Sequence, residues 1–156
     1  MLEERFKITP ASYLFLINDK NELLLGLRQN TGYRDGQHEV PAGHIEAGES
    51  FVDCIVREAK EEANVEIKTE DLKIAHILHR LKSDEEEPDK NLRQRLDVFY
   101  IAKKWSGEIN NNESSKCAYW RWFPLDKLPD NIFPYVKFAL EQYQRGVMLS
   151  EIGFKN

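Results

Sequence analysis

The most informative residues of this chain are Gly43–Val65, which read GHIEAGESFVDCIVREAKEEANV. From Ser50 onward, apolar side chains recur at intervals of three and four residues, which is the period of one helical face. These side chains are Val52, Ile55, Val56, Ala59 and Ala63. Ser50 suits the N-cap position, although Gly48 or Glu49 could mark the entry instead, and Asn64 suits the helix end because asparagine tolerates the left-handed backbone. The pattern predicts an amphipathic helix between residues 50 and 64.

The same helix carries glutamates on a second face. Glu58, Glu61 and Glu62 stand at positions i, i+3 and i+4, so they share one side of the helix away from the apolar stripe. Like charges at this spacing destabilise a helix by roughly 0.2–0.5 kcal/mol per pair. A hard divalent cation removes that repulsion, and it prefers oxygen ligands. Taken alone, the acidic face leaves two alternatives open, a solvated surface and a metal site.

The spacing of the charged residues favours the metal site. The six identities concerned are Gly43, Glu49, Arg57, Glu58, Glu61 and Glu62. At average residue usage, this combination should arise by chance in well under about one in ten thousand chains of this length. It resembles the Nudix box, G-x₅-E-x₇-R-E-U-x-E-E-x-G-U, in which U is a bulky aliphatic residue. Ala59 is small for the first U and Asn64 replaces the last glycine, but a helix accepts the first change and Asn64 supports the same helix-ending conformation.

The chain therefore resembles the Nudix hydrolase superfamily, and within it the MutT-like members. The resemblance implies an α/β fold, the Nudix-type α/β/α sandwich with a mixed β-sheet between helices. In that family the box forms a loop–helix–loop that holds one or more Mg²⁺ ions, for which Mn²⁺ can substitute. Glu58, Glu61 and Glu62 match the metal-binding carboxylates, and Glu58 is our choice for the base, a role that varies across the family. Glu49 and Arg57 match the pair that braces the loop against the helix.

The resemblance also extends to residues outside the box. The backbone carbonyl of Ala42 matches a further metal ligand of MutT-like members. Those members carry a glutamate after a W-x-G-E stretch, which here is residues 105–108, and Glu113 stands at the matching offset. Glu113 is a candidate ligand or base, with a solvated loop glutamate as the alternative. Arg28 matches an arginine that relatives use for phosphates, although strand-end arginines are often simply exposed, and Tyr33 could stack on a base or sugar.

The rest of the chain predicts strands on both sides of the box. The apolar runs Ala11–Asp19 and Glu22–Gln29, separated by a polar turn, predict a β-hairpin. The glycine-rich segment Asn30–Gly48 predicts a long loop with a short strand at His38–Val40. Further elements are predicted at Leu72–Leu81, Leu92–Lys103 and Tyr119–Phe123 (strands) and Phe133–Arg145 (helix). We expect one Nudix hydrolase domain over residues 1–156, with a mixed sheet covered on both faces.

Composition restricts the class of function. The net charge is −5 and no basic tract is present, so a surface that binds nucleic acid is not expected. No apolar run approaches the ~20 residues that span a bilayer, and the N-terminus lacks the features of a secretory signal. Cys54 and Cys117 give no disulfide framework, which favours a cytoplasmic setting, and Cys54 lies on the apolar side of the helix, where we expect a buried, inert thiol.

The reaction implied by the resemblance is substitution by water at phosphorus, which cleaves the pyrophosphate bond of a nucleoside di- or triphosphate derivative. ADP-ribose hydrolases carry a proline where Arg80 stands, and dinucleoside polyphosphate hydrolases carry a tyrosine where Lys82 and Ser83 stand. By elimination this favours a MutT-like nucleoside triphosphate pyrophosphohydrolase. Asn131–Val136 aligns loosely with the base-recognising segment of 8-oxo-dGTP enzymes but has no convincing counterpart of their base-binding asparagine. A domain that senses a nucleotide without cleaving it is the alternative, and MutT-like relatives include monomers and homodimers.

Overall fold

The computed structural model describes residues 3–155, which form eight strands and two α-helices. In chain order they are β1 (Thr9–Leu16), β2 (Glu22–Arg28), β3 (His38–Glu39), β4 (Ala42–His44), α1 (Phe51–Ala63), β5 (Lys73–Leu81), β6 (Gln94–Ala102), β7 (Cys117–Pro124), α2 (Pro134–Gln144) and β8 (Leu149–Ile152). No helix within this part of the chain has the length and apolar character needed to cross a membrane. The predicted α/β class is confirmed.

The larger sheet is mixed and lies between the two helices. Its strand order is β4-β1-β6-β5-β8, with β1 parallel to β6 and β5 antiparallel to β6. Along β1, Leu14 and Leu16 pack against the apolar stripe of α1, whereas Tyr13 and Phe15 pack on the side of α2. Because successive strand residues point to opposite faces, both faces of β1 are buried, which explains its continuous apolar run. This is the α/β/α sandwich expected from the sequence.

The smaller sheet is antiparallel and has the order β3-β2-β7. The predicted hairpin between Ala11–Asp19 and Glu22–Gln29 is therefore wrong beyond its turn, where one bridge joins Ile17 to Leu23. The reason is that β6 and β4 already pair with the two edges of β1. The second apolar run must then pair in another sheet. The short strands β4 and β8 were not predicted.

Helix α1 begins and ends where the sequence predicts. The Ser50 side chain accepts a hydrogen bond from the Asp53 N–H at 3.0 Å, and Asn64 ends the helix with φ 60°. Cys54 is fully buried against the sheet, and burial raises the pKa of its thiol to about 11. The expectation of a buried thiol is thus confirmed, and the raised pKa keeps the sulfur protonated and unreactive at neutral pH.

Candidate active site

Glu62 stands in the last turn of α1 and points at β4. Its Oε2 accepts a hydrogen bond from the Ala42 N–H at 3.1 Å. Desolvation and the nearby carboxylates of Glu39 and Glu58 raise the pKa of Glu62 well above its ordinary value, and the Ala42 hydrogen bond opposes them. The Glu62 carboxylate is therefore surrounded by other carboxylates, and a cation bound among them would relieve their repulsion.

The loop before β7 closes over the end of α1 and brings Glu113 to the same place. The Asn112 N–H and the Trp120 indole N–H both donate to the Glu62 backbone carbonyl, each at 3.2 Å. These bonds satisfy a carbonyl that the helix end leaves without an intrahelical partner. Glu113, in the turn that follows Asn112, raises the pKa of Glu62 by charge repulsion. The structure thus brings together two glutamates that lie 51 positions apart in the sequence.

Glu58 lies against β4, and its carboxylate is largely buried. A β-carbon at Gly43 would overlap its side chain, so only glycine at that position leaves room for it. Its Oε1 pairs with Arg57 Nη1 at 2.7 Å. Burial raises the pKa of Glu58 and the Arg57 pair opposes this. The first glycine of the box therefore has a physical role, which is to admit a carboxylate next to the strand.

Replacing Gly43 by alanine should displace Glu58 and leave the fold intact, because the overlapping atoms belong to a flexible side chain. We expect kcat to fall by about 10²-fold, the cost of misplacing a reacting group by about 1 Å. The melting temperature should change little. Steady-state kinetics and thermal unfolding test this, with Ala47→Gly as the control because it changes one methyl group on the exposed side of the same loop. An unfolded Gly43→Ala protein, or one with full activity, would contradict the interpretation.

Arg57 joins the loop before α1 to the helix. Its Nε and Nη2 contact the two carboxylate oxygens of Glu49 at 2.7 and 2.9 Å. Its Nη1 contacts Glu58 and, at 3.2 Å, Glu61. The Arg57 hydrogen bonds lower the pKa of Glu49 to about 2. A planar guanidinium suits such two-point contacts, so Arg57 fixes the geometry of the loop and of the glutamate beside it.

The Glu49–Arg57 pair predicts a stability that depends on pH. The pKa of Glu49 lies below its ordinary value of 4.5, so the pair stabilises the protein above that pH and is lost as pH falls toward 2. Glu49→Gln should therefore lower the melting temperature at pH 7, with a difference from the parent that shrinks toward pH 2. Thermal unfolding between pH 7 and pH 2 measures the difference in melting temperature. Glu70→Gln, at an exposed position, is the control. A difference that persists at pH 2 would be evidence against this origin.

Glu61 differs from the other two box glutamates. Its side chain is 53% exposed and its partner is Arg57. Within residues 3–155, no group of three or more Asp, Glu, His or Cys side chains is already arranged as a metal-binding set. The structure thus gathers Glu58 and Glu62 at β4 and leaves Glu61 at the solvent edge of α1.

The sequence analysis did not identify Glu39, which completes the acidic group. It lies in β3, and its Oε2 pairs with Arg28 Nη1 at 3.1 Å. Burial raises the pKa of Glu39, while Arg28 lowers it. A lone glutamate between the buried residues His38 and Val40 was the available signal. We call Glu39, Glu58, Glu62 and Glu113 the acidic group.

The acidic group fits a hard divalent cation by its chemistry. Its four carboxylates repel one another, since Glu39, Glu58 and Glu113 all raise the pKa of Glu62. Arg28 and Arg57 provide two positive charges, each already paired with one of these glutamates. The remaining negative charge and the oxygen donors are what Mg²⁺ requires.

A cavity of about 380 Å³ adjoins the acidic group. Its lining includes Glu39 and Glu62 together with Ala42 and Gly43 of β4. The aromatic side chains of its wall are Tyr13, Tyr33, Phe133 and Tyr135. Tyr33 is 39% exposed, and its ring lies nearly perpendicular to that of Phe133, with the centroids 6.2 Å apart. A cavity of this size suits a small molecule with an aromatic group.

Arg28 lies where the cavity and a smaller adjoining pocket meet. Its Nε donates to the Tyr33 carbonyl at 2.7 Å and to Thr31 Oγ1 at 2.9 Å, so the loop after β2 holds it in place. The segment Asn131–Val136 also reaches the cavity, through Phe133, Tyr135 and Val136. Asn131 itself is engaged elsewhere, with His38 and the Gly36 carbonyl.

Comparison with known proteins gives the family. A model of the NUDIX domain matches residues 7–145. The chain is 28% identical over 130 residues to an ADP-ribose pyrophosphatase of Methanocaldococcus jannaschii, which covers 83% of this chain and 70% of that protein. It is 38% identical over 52 residues to the NAD-capped RNA hydrolase NudC of Vibrio parahaemolyticus, which covers 33% of this chain and 19% of that protein.

Solved structures share the fold. The MutT NUDIX hydrolase from Burkholderia pseudomallei superposes with a TM-score of 0.74 at 20% identity, covering 87% of this chain and 98% of that one. The MutT protein from Methanosarcina mazei Go1 gives 0.73 at 17% identity, covering 92% and 98%. The family match spans most of the chain and includes the box, whose Glu62 lines the cavity. The chain belongs to the Nudix family, and its fold is that of the MutT-like members.

Proposed function

We propose that this Nudix hydrolase is a Mg²⁺-dependent, MutT-like nucleoside triphosphate pyrophosphohydrolase. The observation that carries the proposal is the acidic group beside a cavity with an aromatic wall. Four carboxylates with unbalanced charge suit a cation, and aromatic rings suit a base. A cation between them and a polyphosphate would also explain how a protein of net charge −5 binds a polyanion.

The residues that would hold the cation are Glu58, Glu62 and Glu113, with Glu61 and the Ala42 carbonyl as further ligands. When bound, Mg²⁺ neutralises charge that develops on the phosphates and lowers the pKa of bound water. Glu58 is the proposed base, which accepts the proton of the attacking water.

The other site residues orient the substrate. Arg28 contacts a phosphate oxygen through Nη2, because the loop holds its Nε and Glu39 holds its Nη1, and Tyr33 stacks on the base. Glu49 and Arg57 hold the loop in place. The water oxygen forms a bond to phosphorus while the bridging P–O bond breaks. The products are a nucleoside monophosphate and pyrophosphate.

A panel of nucleotides tests this function. We expect Mg²⁺-dependent release of monophosphate and pyrophosphate from at least one nucleoside triphosphate, measured by chromatography, with no turnover in EDTA. ADP-ribose belongs in the panel because a relative carries the name ADP-ribose pyrophosphatase, and its cleavage would release two monophosphates instead. Binding without any product, with either Mg²⁺ or Mn²⁺, would indicate a nucleotide-sensing domain and refute the proposal.

We further propose that the protein acts in the cytoplasm as one domain over residues 1–156, on small molecules and not on nucleic acids. The two buried cysteines, whose thiol pKa values burial raises to about 11, are compatible with a reducing compartment. The family includes monomers and homodimers, which light scattering on the purified protein distinguishes.

A further inference from the structure

Part of the lining of the cavity is cationic. We call Arg80, Lys82 and Arg95 the basic pocket. Arg80 on β5 and Arg95 on β6 are cross-strand partners, and Lys82 follows β5 directly. Like charges placed opposite each other destabilise a sheet, so this arrangement opposes folding unless another group compensates it.

Lys82 is a buried cation without a partner. It is 9% exposed, and its ammonium makes no ion pair or hydrogen bond with any residue from 3 to 155. The ammonium lies over the Tyr33 ring, 5.4 Å from its centroid. Burial lowers the pKa of Lys82, as does repulsion from Arg95 and Arg80, while Tyr33 and Glu87 oppose this shift. A desolvated charge of this kind is costly in the free protein, and an anion would remove the cost.

Arg80 is held so that part of its guanidinium stays free. Its Nε pairs with Asp97, and its guanidinium carbon Cζ lies over the Tyr135 ring, 3.8 Å from the ring centroid. Its side chain is 8% exposed, and its two terminal nitrogens have no acceptor in the described part of the chain. Two fixed N–H groups at one end of a buried guanidinium match the geometry of a phosphate.

Arg95 and the nearby carboxylates complete the pocket. Arg95 donates to the Leu92 carbonyl and, at 3.0 Å, to His44 Nε2, and pairs with no carboxylate in residues 3–155. Glu86 and Glu87 also line the cavity. The Glu86 carboxylate accepts from the Ser83 N–H and lies 3.9 Å from Arg34, and Glu87 accepts from the Asp89 N–H. Both carboxylates act on Lys82 through charge alone, and neither forms an ion pair or hydrogen bond with Lys82 or Arg95 in the described part of the chain.

We propose that the basic pocket binds a terminal phosphate monoester of the substrate, apart from the phosphates at the acidic group. This inference rests on the proposed function and narrows it: substrates that end in a free phosphate are preferred over those that end in a neutral sugar. A neutral base or sugar would bring no negative charge to Lys82 and Arg95, which have no carboxylate in direct contact within residues 3–155. The phosphate can be the last one of a triphosphate chain or one on the nucleoside sugar.

Binding of inorganic phosphate tests the pocket without turnover. In EDTA the acidic group repels phosphate, so calorimetry should report the basic pocket alone. We expect the parent protein to bind phosphate and Lys82→Gln to bind it about tenfold more weakly or worse, the loss of one hydrogen bond to a charged group. Lys82→Arg should restore part of the affinity. Lys127→Gln, which removes an exposed charge outside the cavity, should bind as the parent does.

Turnover identifies the source of the phosphate. If the bound phosphate is the terminal one of the triphosphate, methylating that phosphate should raise the KM of the parent about tenfold. The KM of Lys82→Gln should stay unchanged. If the bound phosphate is on the sugar, a 3′-phosphate should lower KM in the parent alone. Either result supports the proposal. Equal phosphate affinities for the parent, Lys82→Gln and Lys127→Gln would overturn the basic-pocket proposal. If no nucleotide is turned over, the proposed function is refuted, but the phosphate-binding result still tests the pocket. Thermal unfolding should show Lys82→Gln no less stable than the parent.

Discussion

Replacing Glu62 by glutamine should lower kcat by about 10²–10⁴-fold and leave the protein folded. The carboxylate sits where burial, Glu39 and Glu58 all raise its pKa. Glutamine keeps an oxygen that can accept from the Ala42 N–H, so the hydrogen bond to β4 survives. It removes the negative charge on which cation binding depends. In metal-free buffer the melting temperature should stay equal or rise, because repulsion within the acidic group decreases.

Steady-state kinetics with the best substrate of the panel, together with Mn²⁺ titration, measure this effect. Glu141→Gln is the matched control, since it makes the same change on the exposed side of α2. Loss of activity together with loss of the fold would show that Glu62 is needed for structure, and unchanged kcat would remove it from the catalytic site.

Of the substitutions proposed for this protein, Asp97→Ala should cause the largest decrease in the free energy of unfolding. Asp97 is fully buried and pairs with Arg80, whose side chain is 8% exposed. Removing one partner leaves the other charge buried alone, which costs about 3–5 kcal/mol of unfolding free energy. For a chain of this size, that corresponds to a fall in melting temperature of about 6–20 °C.

Urea unfolding of the ligand-free protein measures the change. Arg80→Met/Asp97→Leu should recover much of the loss, because it removes both charges and fills the space with apolar groups. Asp126→Ala, at an exposed turn, should be nearly neutral. A loss below about 1 kcal/mol for Asp97→Ala would show that the pair is solvated and not buried.

Local signals in the sequence predicted the helix of the box well. The cap at Ser50, the apolar stripe and the end at Asn64 all depend on residues within one helix length of each other. The pairing of Glu49 with Arg57 was instead implied by the resemblance to the Nudix box, and two hydrogen bonds join the two side chains in the structure. Short-range geometry is fixed by helical periodicity, so a pattern of spacings is enough to predict it.

Features that depend on strand pairing were not predictable in this way. The hairpin prediction failed because β1 pairs with β6, a strand some eighty residues away. Glu39 and the basic pocket were missed for the same reason. Arg80 and Arg95 meet through the register of β5 with β6, which their surrounding sequence does not reveal. Arg80 and Lys82 stand where two Nudix subfamilies carry a proline and a tyrosine. In the structure both line the same cavity, where they form part of the basic pocket.

The buried thiols have a practical consequence for following motion in this protein. Cys54 lies on the face of α1 that packs on the sheet, Cys117 begins β7, and both are nearly inaccessible. A maleimide dye can reach Cys54 only when α1 lifts from the sheet, and Cys117 only when the smaller sheet separates. Two single-cysteine variants, one keeping Cys54 and the other Cys117, would therefore report separately how often α1 and the smaller sheet open. The labelling rate of each variant measures that opening at a native cysteine.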